Sequence, residues 1–179
     1  MNNIRSSFAF VTAAAALLLG GCATASKSTD MVTAVTVPVT KHPESLSVAV
    51  TGGSETSSMG ASKISNGDFA EAVKTSVTQS GLFGKISPAG SSDYDLTVQI
   101  VRLDQPVFGA SFTVTIETTW RLTHRSDQKL VWQKAIITPF TATMGDAFVG
   151  VTRLRLANEG AARENIKDAI TQMGALTLP

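Results

Sequence analysis

A lone cysteine is the residue whose position points most clearly to chemistry. Cys22 is the one cysteine of the chain and follows two glycines near the N-terminus. Its thiolate would be a nucleophile, and small side chains before it let the backbone enter a protease site. Arg5 and twelve uncharged residues, 8–19, precede it. This is the layout of a signal peptide, since a membrane-spanning helix needs about 20 apolar residues.

The run Leu19-Gly20-Gly21-Cys22 resembles the lipobox of bacterial lipoproteins. The resemblance implies that residues 1–21 are removed and that Cys22 is acylated, palmitate being a typical chain, and becomes the first residue of the mature protein. In such lipoproteins an aspartate after the cysteine favours inner-membrane retention. Ala23 stands there, which implies the outer membrane and a periplasm-facing domain. The alternatives are a secretory signal cut after Ala25, which would discard Cys22, and a chance cysteine in a discarded leader.

Arginines and threonines supply two further candidate sites. Arg153 and Arg155 lie in a predicted helix and could contact the phosphates of lipid A or another anionic ligand. Ordinary pairing along the helix, such as Glu159 with Arg163, accounts for part of this basic character. Thr115 and Thr119 lie on the polar side of a predicted strand, and we interpret them as part of a partner-binding face.

The residues that usually build catalytic or metal centres are scattered. His42 and His124 stand alone, without cysteines or carboxylates at ligand spacing. No nucleophile or metalloprotease motif occurs. Asp93 and Asp95 flank a strand start and are interpreted as solvated strand-entry residues. The sequence therefore predicts a non-enzymatic protein without a metal or another cofactor.

Charge and length narrow the class of protein. The chain has 15 basic and 14 acidic residues, and loss of Arg5 with the signal peptide leaves 14 of each. A neutral chain gives no electrostatic reason to bind nucleic acid. Removal of residues 1–21 from the 179-residue chain leaves 158, which suits one domain. Because no cysteine follows Cys22, the core alone must stabilise the fold.

Hydrophobic periodicity predicts an α+β domain. Alternating apolar residues indicate a strand at 46–50 and three further strands after residue 93, and a stripe at helical spacing over 69–77 indicates a helix. We expect Gly81 to end that helix, with Leu82 and Phe83 as its apolar C-cap contact. The prediction is an antiparallel or mixed sheet of about four strands with two helices on one face, in the order β-α-β-β-β-α.

Three boundaries complete the predicted organisation. Residues 22–44 are interpreted as an acylated tether and residues 45–179 as the single domain, with an extra strand through Val32, Val35, Val37 and Val39 as the alternative for the tether. Pro139 is expected to end the last strand. The final helix, within residues 145–173, is expected to kink or split near Gly160.

The order of elements resembles a group of small envelope domains. The matching stretches are residues 69–83, the strand opening at Asp93-Tyr94-Asp95-Leu96, the hairpin arm at Lys129-Leu130-Val131-Trp132, and the final helix. They are similar to the outer-membrane lipoprotein of lipopolysaccharide assembly, the curli-secretion lipoprotein, the lipoprotein activators of penicillin-binding proteins, and the N-terminal domain of the Tol-system propeller protein. These domains share no catalytic motif, so no functional residue is transferred.

Together these observations predict a lipid-anchored outer-membrane protein that binds or helps assemble an envelope protein or complex. A lipid or lipopolysaccharide carrier that uses Arg153 and Arg155 is one alternative. A hydrolase with an unrecognised site is another. The sequence leaves a homo-oligomer open.

Overall fold

A computed structural model describes residues 23–35, 40–57 and 61–179 of this protein. In these residues, two long helices pack on one five-stranded mixed sheet. A four-residue helix, α1, precedes them. In chain order the elements are α1 (Ser28–Met31), β1 (His42–Thr51), α2 (Asn66–Ser80), β2 (Phe83–Ile86), β3 (Tyr94–Asp104), β4 (Phe112–His124), β5 (Lys129–Ala142) and α3 (Gly150–Met173).

The strands lie in the order β2-β1-β3-β4-β5. β1 pairs in parallel with both β2 and β3, whereas β3, β4 and β5 are antiparallel neighbours. A parallel pair needs a crossover connection, and α2 supplies it between β1 and β2. The long antiparallel half, β3 to β5, therefore extends away from the crossover and ends at the edge strand β5.

The helices cover one face of the sheet, and the core lies between. α2 packs against β1 and β2, α3 packs against β4 and β5, and the two helices also touch each other. Alternate residues of β3 and β4 are buried beneath them: Tyr94, Leu96, Val98, Ile100, Val114, Ile116, Trp120 and Leu122. Because side chains alternate along a strand, the intervening residues form an opposite face, which none of the helices in the described residues covers.

The predicted α+β class is confirmed, but the predicted number of elements is wrong. The described residues form five strands rather than about four, and three helices rather than two. The additional strand is β2, whose first residue, Phe83, was expected to serve the cap of the preceding helix. Gly81 does end α2, in a left-handed conformation with φ of 63°. The chain then enters the edge of the sheet within two residues.

Pro139 does not end the last strand, since β5 continues to Ala142. Proline lacks a backbone N–H and is tolerated where that position faces away from a partner strand. β5 is an edge strand, so a proline there supplies no N–H to the free edge and disfavours pairing with a strand of another molecule.

Gly160 does not split the last helix either, because α3 is continuous over 24 residues. A Cβ atom at Gly160 would lie 2.3 Å from the ring of Phe140 in β5. The glycine is therefore explained by the close approach of the helix to this ring rather than by a break in the helix.

Candidate functional site

The segment that follows Cys22 packs against the helices. Met31 is fully buried. The Ser26 N–H donates to the carbonyl of Lys63 at 3.2 Å, and the Thr33 N–H donates to the Ser76 hydroxyl in α2 at 3.0 Å. Residues 26–33 therefore belong to the packed structure and do not extend from it as a free chain.

This packing bears on the predicted tether. Val32 and Val35 are half-buried against the core and form no strand. Val37 and Val39 lie within residues 36–39, outside the described residues, as does Cys22. The domain bounds and the acylation of Cys22 stay predictions. Because the chain is already hydrogen-bonded to the domain at Ser26, a free tether after Cys22 would comprise only residues 23–25, far fewer than the predicted 22–44.

Thr115 and Thr119 lie on the uncovered face of the sheet, where both are half-buried. Thr115 is opposite Pro139, and Thr119 is opposite Ala135, so both belong to the central part of the antiparallel half. Threonines alternate with charged residues on this face, since Glu117 and Arg121 lie on the same side of β4 and Glu117 pairs with Arg102 of β3 at 3.4 Å. A shallow groove of about 160 Å³ crosses it, lined by Thr51, Thr97, Gln99, Thr119 and Arg121.

The two predicted arginines do not form one site. The Arg153 guanidinium is buried and donates to the carbonyls of Ala147, Phe148 and Gly109 at 2.8, 3.2 and 3.1 Å. It also lies 4.9 Å from the ring centroid of Phe112. Arg153 thus joins the loop before β4 to the loop before α3, and this is an internal structural role.

Arg155 points to a different place, a buried carboxylate that the sequence analysis did not single out as a site. Its Nη1 atom lies 3.2 Å from Oε1 of Glu159 and 3.5 Å from Oδ2 of Asp30. The same Oε1 accepts the Lys27 N–H at 3.0 Å. Only 1% of Glu159 is exposed, and its Oε2 has no hydrogen-bond partner among the described residues. Glu159 therefore ties the N-terminal segment to α3.

A cleft of about 460 Å³ lies beside this carboxylate, between α1, the end of β5 and α3. Its lining carries charge of both signs but no histidine, serine or cysteine among the described residues. The lining residues are Thr29, Asp30, Val32, Phe140, Ala142, Asp146, Leu156, Glu159 and Arg163.

The buried carboxylate makes the stability depend on pH. Burial raises the pKa of Glu159 above its usual value of 4.5, although the Lys27 N–H and Arg155 oppose the shift and Asp30 adds to it. A raised native pKa means that the folded protein holds a proton that the unfolded chain has released. This contribution to stability is present below pH 4.5 and is lost as the pH rises through the native pKa. We expect Glu159→Gln to abolish this loss.

Urea unfolding of both proteins between pH 4 and pH 7.5 measures the effect. Glutamine keeps an oxygen that can accept the Lys27 N–H, so the variant should remain folded. Glu164→Gln is the matched control, because Glu164 lies on the same helix with 42% of its side chain exposed. If the free energy of unfolding changed with pH equally in the wild type and in Glu159→Gln, the raised pKa of Glu159 would be contradicted.

The strand-entry aspartates are hydrogen-bonded structural residues. The hydroxyl and N–H of Ser45 donate to Asp93 and lower the pKa of its carboxyl. Burial alone would raise the pKa of Asp95, but hydrogen bonds from Ser47, Arg125 and Ser92 outweigh it and lower this pKa. Carboxylates held in the charged form are poor general acids. They join β1 to β3 at one end of the sheet.

Neither histidine belongs to a metal cluster. His42 begins β1, where it is buried with Nε2 3.4 Å from the carbonyl of Met173. His124 ends β4 and contacts Asp127 at 2.9 Å. Within the described part of the chain, no three histidine, cysteine, aspartate or glutamate side chains are placed to hold a metal ion. No helix in that part combines the length and apolar character needed to cross a membrane.

Sequence reasoning also missed the apolar tips of two loops. Val107 and Phe108, between β3 and β4, are 89% and 86% exposed, and Phe148, before α3, is 82% exposed. The signal was available as two short runs between elements, 105–111 without a charged residue and 143–149 with Asp146 alone. It gave no indication that Arg153 brings the two runs together.

The architecture is shared with solved bacterial proteins of low sequence identity. Protein XCC0632 from Xanthomonas campestris, described under the family model DUF330, superposes with a TM-score of 0.63 and 16% identity, over 80% of this chain and 91% of that chain. Protein CT253 from Chlamydia trachomatis gives a TM-score of 0.52 with 9% identity, over 75% and 99%. A PelC dodecamer from Paraburkholderia phytofirmans gives 0.50 with 14% identity, over 81% and 95%.

These similarities establish a common fold. Bacterial lipoproteins are among the more distant structural matches, at TM-scores below 0.5, which are too low to carry weight. No protein-family model matches the chain, and no curated protein matches it.

Proposed function

We propose that this protein is a non-enzymatic, lipid-anchored protein of the outer membrane that faces the periplasm and binds another envelope protein through its uncovered sheet face. The observation that carries the proposal is that face itself. Both long helices pack on the other side, so the β3–β5 half presents a broad, shallow surface rather than a catalytic cleft. Its polar character suits a partner that binds and dissociates.

The anchor part of the proposal is supported by the Leu19-Gly20-Gly21-Cys22 run and by the packing that follows it. The hydrogen bonds of Ser26 and Lys27 begin four and five residues after Cys22, so acyl chains on Cys22 would hold the folded domain close to the membrane.

Arginine at Thr115 and Thr119 should abolish partner binding. Each substitution places a long, charged side chain in the middle of the proposed interface, where an unpaired charge is costly to desolvate. The acylated protein is captured from detergent-solubilised envelopes after chemical crosslinking, and specific partners are identified by mass spectrometry. We expect the wild type to retain a partner that the Thr115→Arg, Thr119→Arg double variant loses at least tenfold.

Thr78→Arg provides the matched control, because Thr78 is exposed on α2, on the helical side of the molecule. It introduces the same side chain without touching the sheet face and should leave binding unchanged. Equal partner recovery from the double variant and the wild type would refute the face assignment. An equal loss from Thr78→Arg would do so as well.

A second copy of the chain is the other candidate occupant of this face. The observation that favours it is the similarity to PelC, which was solved as a dodecamer. Light scattering of the detergent-solubilised protein separates the two cases in the same samples. A self-assembled wild type would fall to the monomer mass in the double variant, whereas a protein with a different partner would be monomeric in both.

The two remaining alternatives receive less support from the geometry. An anionic-lipid carrier would need free guanidinium groups, but Arg153 is occupied by three carbonyls and Arg155 by two carboxylates. A hydrolase would need an activated nucleophile, and the lining of the cleft beside Glu159 holds no serine, cysteine or histidine.

A further inference from the structure

We infer that the two apolar loops beside Arg153 insert into the surface of the bilayer that carries the acyl anchor. The inference rests on the proposed acylation of Cys22 and adds an orientation to it. The loops comprise residues 105–111, between β3 and β4, and residues 143–149, between β5 and α3. We call them together the apolar end of the domain.

The exposed apolar surface is concentrated at this end. Five of the eight large apolar residues that the described part of the chain exposes belong to these two loops. Residues 105–111 carry no charge. Residues 143–149 carry one, Asp146, whose carboxylate accepts the N–H and hydroxyl of Thr143 at 2.7 and 2.9 Å. The five exposed residues are Val107, Phe108, Met144, Phe148 and Val149.

The fold brings the two loops side by side. Phe112 at the start of β4 pairs with Ala142 at the end of β5, so both loops leave the sheet at the same end. The Arg153 guanidinium then bonds Gly109 of one loop and Ala147 and Phe148 of the other. This bonding holds the aromatic tips on a common support rather than on two independent loops.

The anchor reaches the molecule at this same end. Ser26 bonds the carbonyl of Lys63, and its hydroxyl lies 3.4 Å from that of Ser62. Gln105, the first residue of the apolar end, donates to the Ser62 carbonyl at 2.7 Å and accepts from Lys63 Nζ at 2.9 Å. Hydrogen bonds through Ser62 and Lys63 therefore connect Ser26 to Gln105, two residues before Val107.

The short link between Cys22 and Ser26 places the bilayer surface close to the apolar end. Three residues, 23–25, separate Cys22 from Ser26. Four residue steps of extended chain span at most about 14 Å. A lipid on Cys22 must therefore enter the bilayer within this distance of Ser26. Insertion of phenylalanine and valine to a depth of about 5–10 Å would add a second attachment beside the acyl chains.

A single labelled thiol tests the depth of the loops. Phe108→Cys and Phe148→Cys are prepared separately in the full chain, where acylation of Cys22 leaves the new thiol as the free one. Each thiol carries an environment-sensitive fluorophore. The protein is reconstituted into vesicles of phosphatidylethanolamine and phosphatidylglycerol that contain a lipid with a nitroxide near the top of its acyl chain. We expect quenching at both positions, several-fold above the control.

Leu130→Cys is the matched control. Leu130 is apolar and 47% exposed, and it pairs with Thr123, eleven residues along β4 from Phe112. At about 3.4 Å per residue it lies roughly 37 Å from the apolar end. Its label should remain in water and unquenched.

Flotation and intact-mass measurement of the same samples separate the inference from the proposed anchor. Acylated protein that floats with the vesicles while the labels at 108 and 148 are quenched no more than at 130 overturns the insertion and leaves the anchor intact. Protein without an acyl mass that does not float overturns the anchor and the insertion together.

Discussion

Asn165→Ala should lower the free energy of unfolding by about 2–4 kcal/mol, because it removes the centre of a buried hydrogen-bond network. Asn165 lies in α3 and is fully buried. Its Oδ1 accepts the Thr118 hydroxyl at 2.7 Å and the Trp120 indole N–H at 3.1 Å. Its Nδ2 donates to the Ile136 carbonyl at 3.2 Å and to the Thr138 hydroxyl at 3.1 Å.

One amide thus joins α3 to both β4 and β5, and alanine leaves these polar groups with fewer partners in a dry core. At about 2–4 °C per kcal/mol for a chain of this size, the melting temperature should fall by about 4–16 °C. Thermal unfolding followed by circular dichroism and by tryptophan fluorescence measures the loss. Trp120 lies inside the network, so its emission should also change in the folded state.

Gln79→Ala is the control for loss of an amide. Gln79 is exposed on α2, and such a surface change should alter stability by less than about 0.5 kcal/mol. A loss below about 1 kcal/mol for Asn165→Ala would show that the surrounding groups find other partners. In that case the helix would be held to the sheet mainly by apolar packing.

The sequence predicted well those elements whose pattern is long and local. The alternation extends over seven residues in β3 and eleven in β4, and the stripe of α2 has a serine cap and a glycine stop, Ser65 and Gly81. β2 was missed because it has four residues, too few for a period to be recognised. Pro139 was misread because its effect depends on whether the strand is at an edge, which is a property of the sheet and not of the segment.

The candidate sites were less predictable, for a related reason. Arg153 and Arg155 are two positions apart on a helix and so face different directions. One contacts two loops, and the other contacts a carboxylate and the N-terminal segment. Glu159 is recognisable as special only after its burial is known, since an i, i+4 pair with Arg155 or Arg163 looks like an ordinary surface pair. Such roles arise from tertiary packing.

Cys22→Ala should eliminate the protein from the outer-membrane fraction. This is the largest effect that we expect from any single substitution, because alanine has no thiol to receive a lipid. Each buried methylene of an acyl chain contributes about 0.8 kcal/mol to membrane binding, and one chain alone gives only marginal attachment. The few aromatic and aliphatic side chains of the apolar end are therefore insufficient to hold the domain once the anchor is lost. Density-gradient fractionation with immunodetection gives the distribution, and intact mass gives the acylation state.

Ala23→Asp is the matched control, since it changes the next residue but leaves the thiol. From the resemblance to the lipobox of bacterial lipoproteins, this variant should stay acylated and shift toward the inner membrane. Both variants alter residues that precede the packing of Ser26, so neither should change the fold. Cys22→Ala that still fractionates with the outer membrane would refute acyl anchoring, and attachment would then have to come from the apolar end or from a protein partner. Loss in Cys22→Ala with retention of the acyl mass in Ala23→Asp would locate the attachment at the thiol.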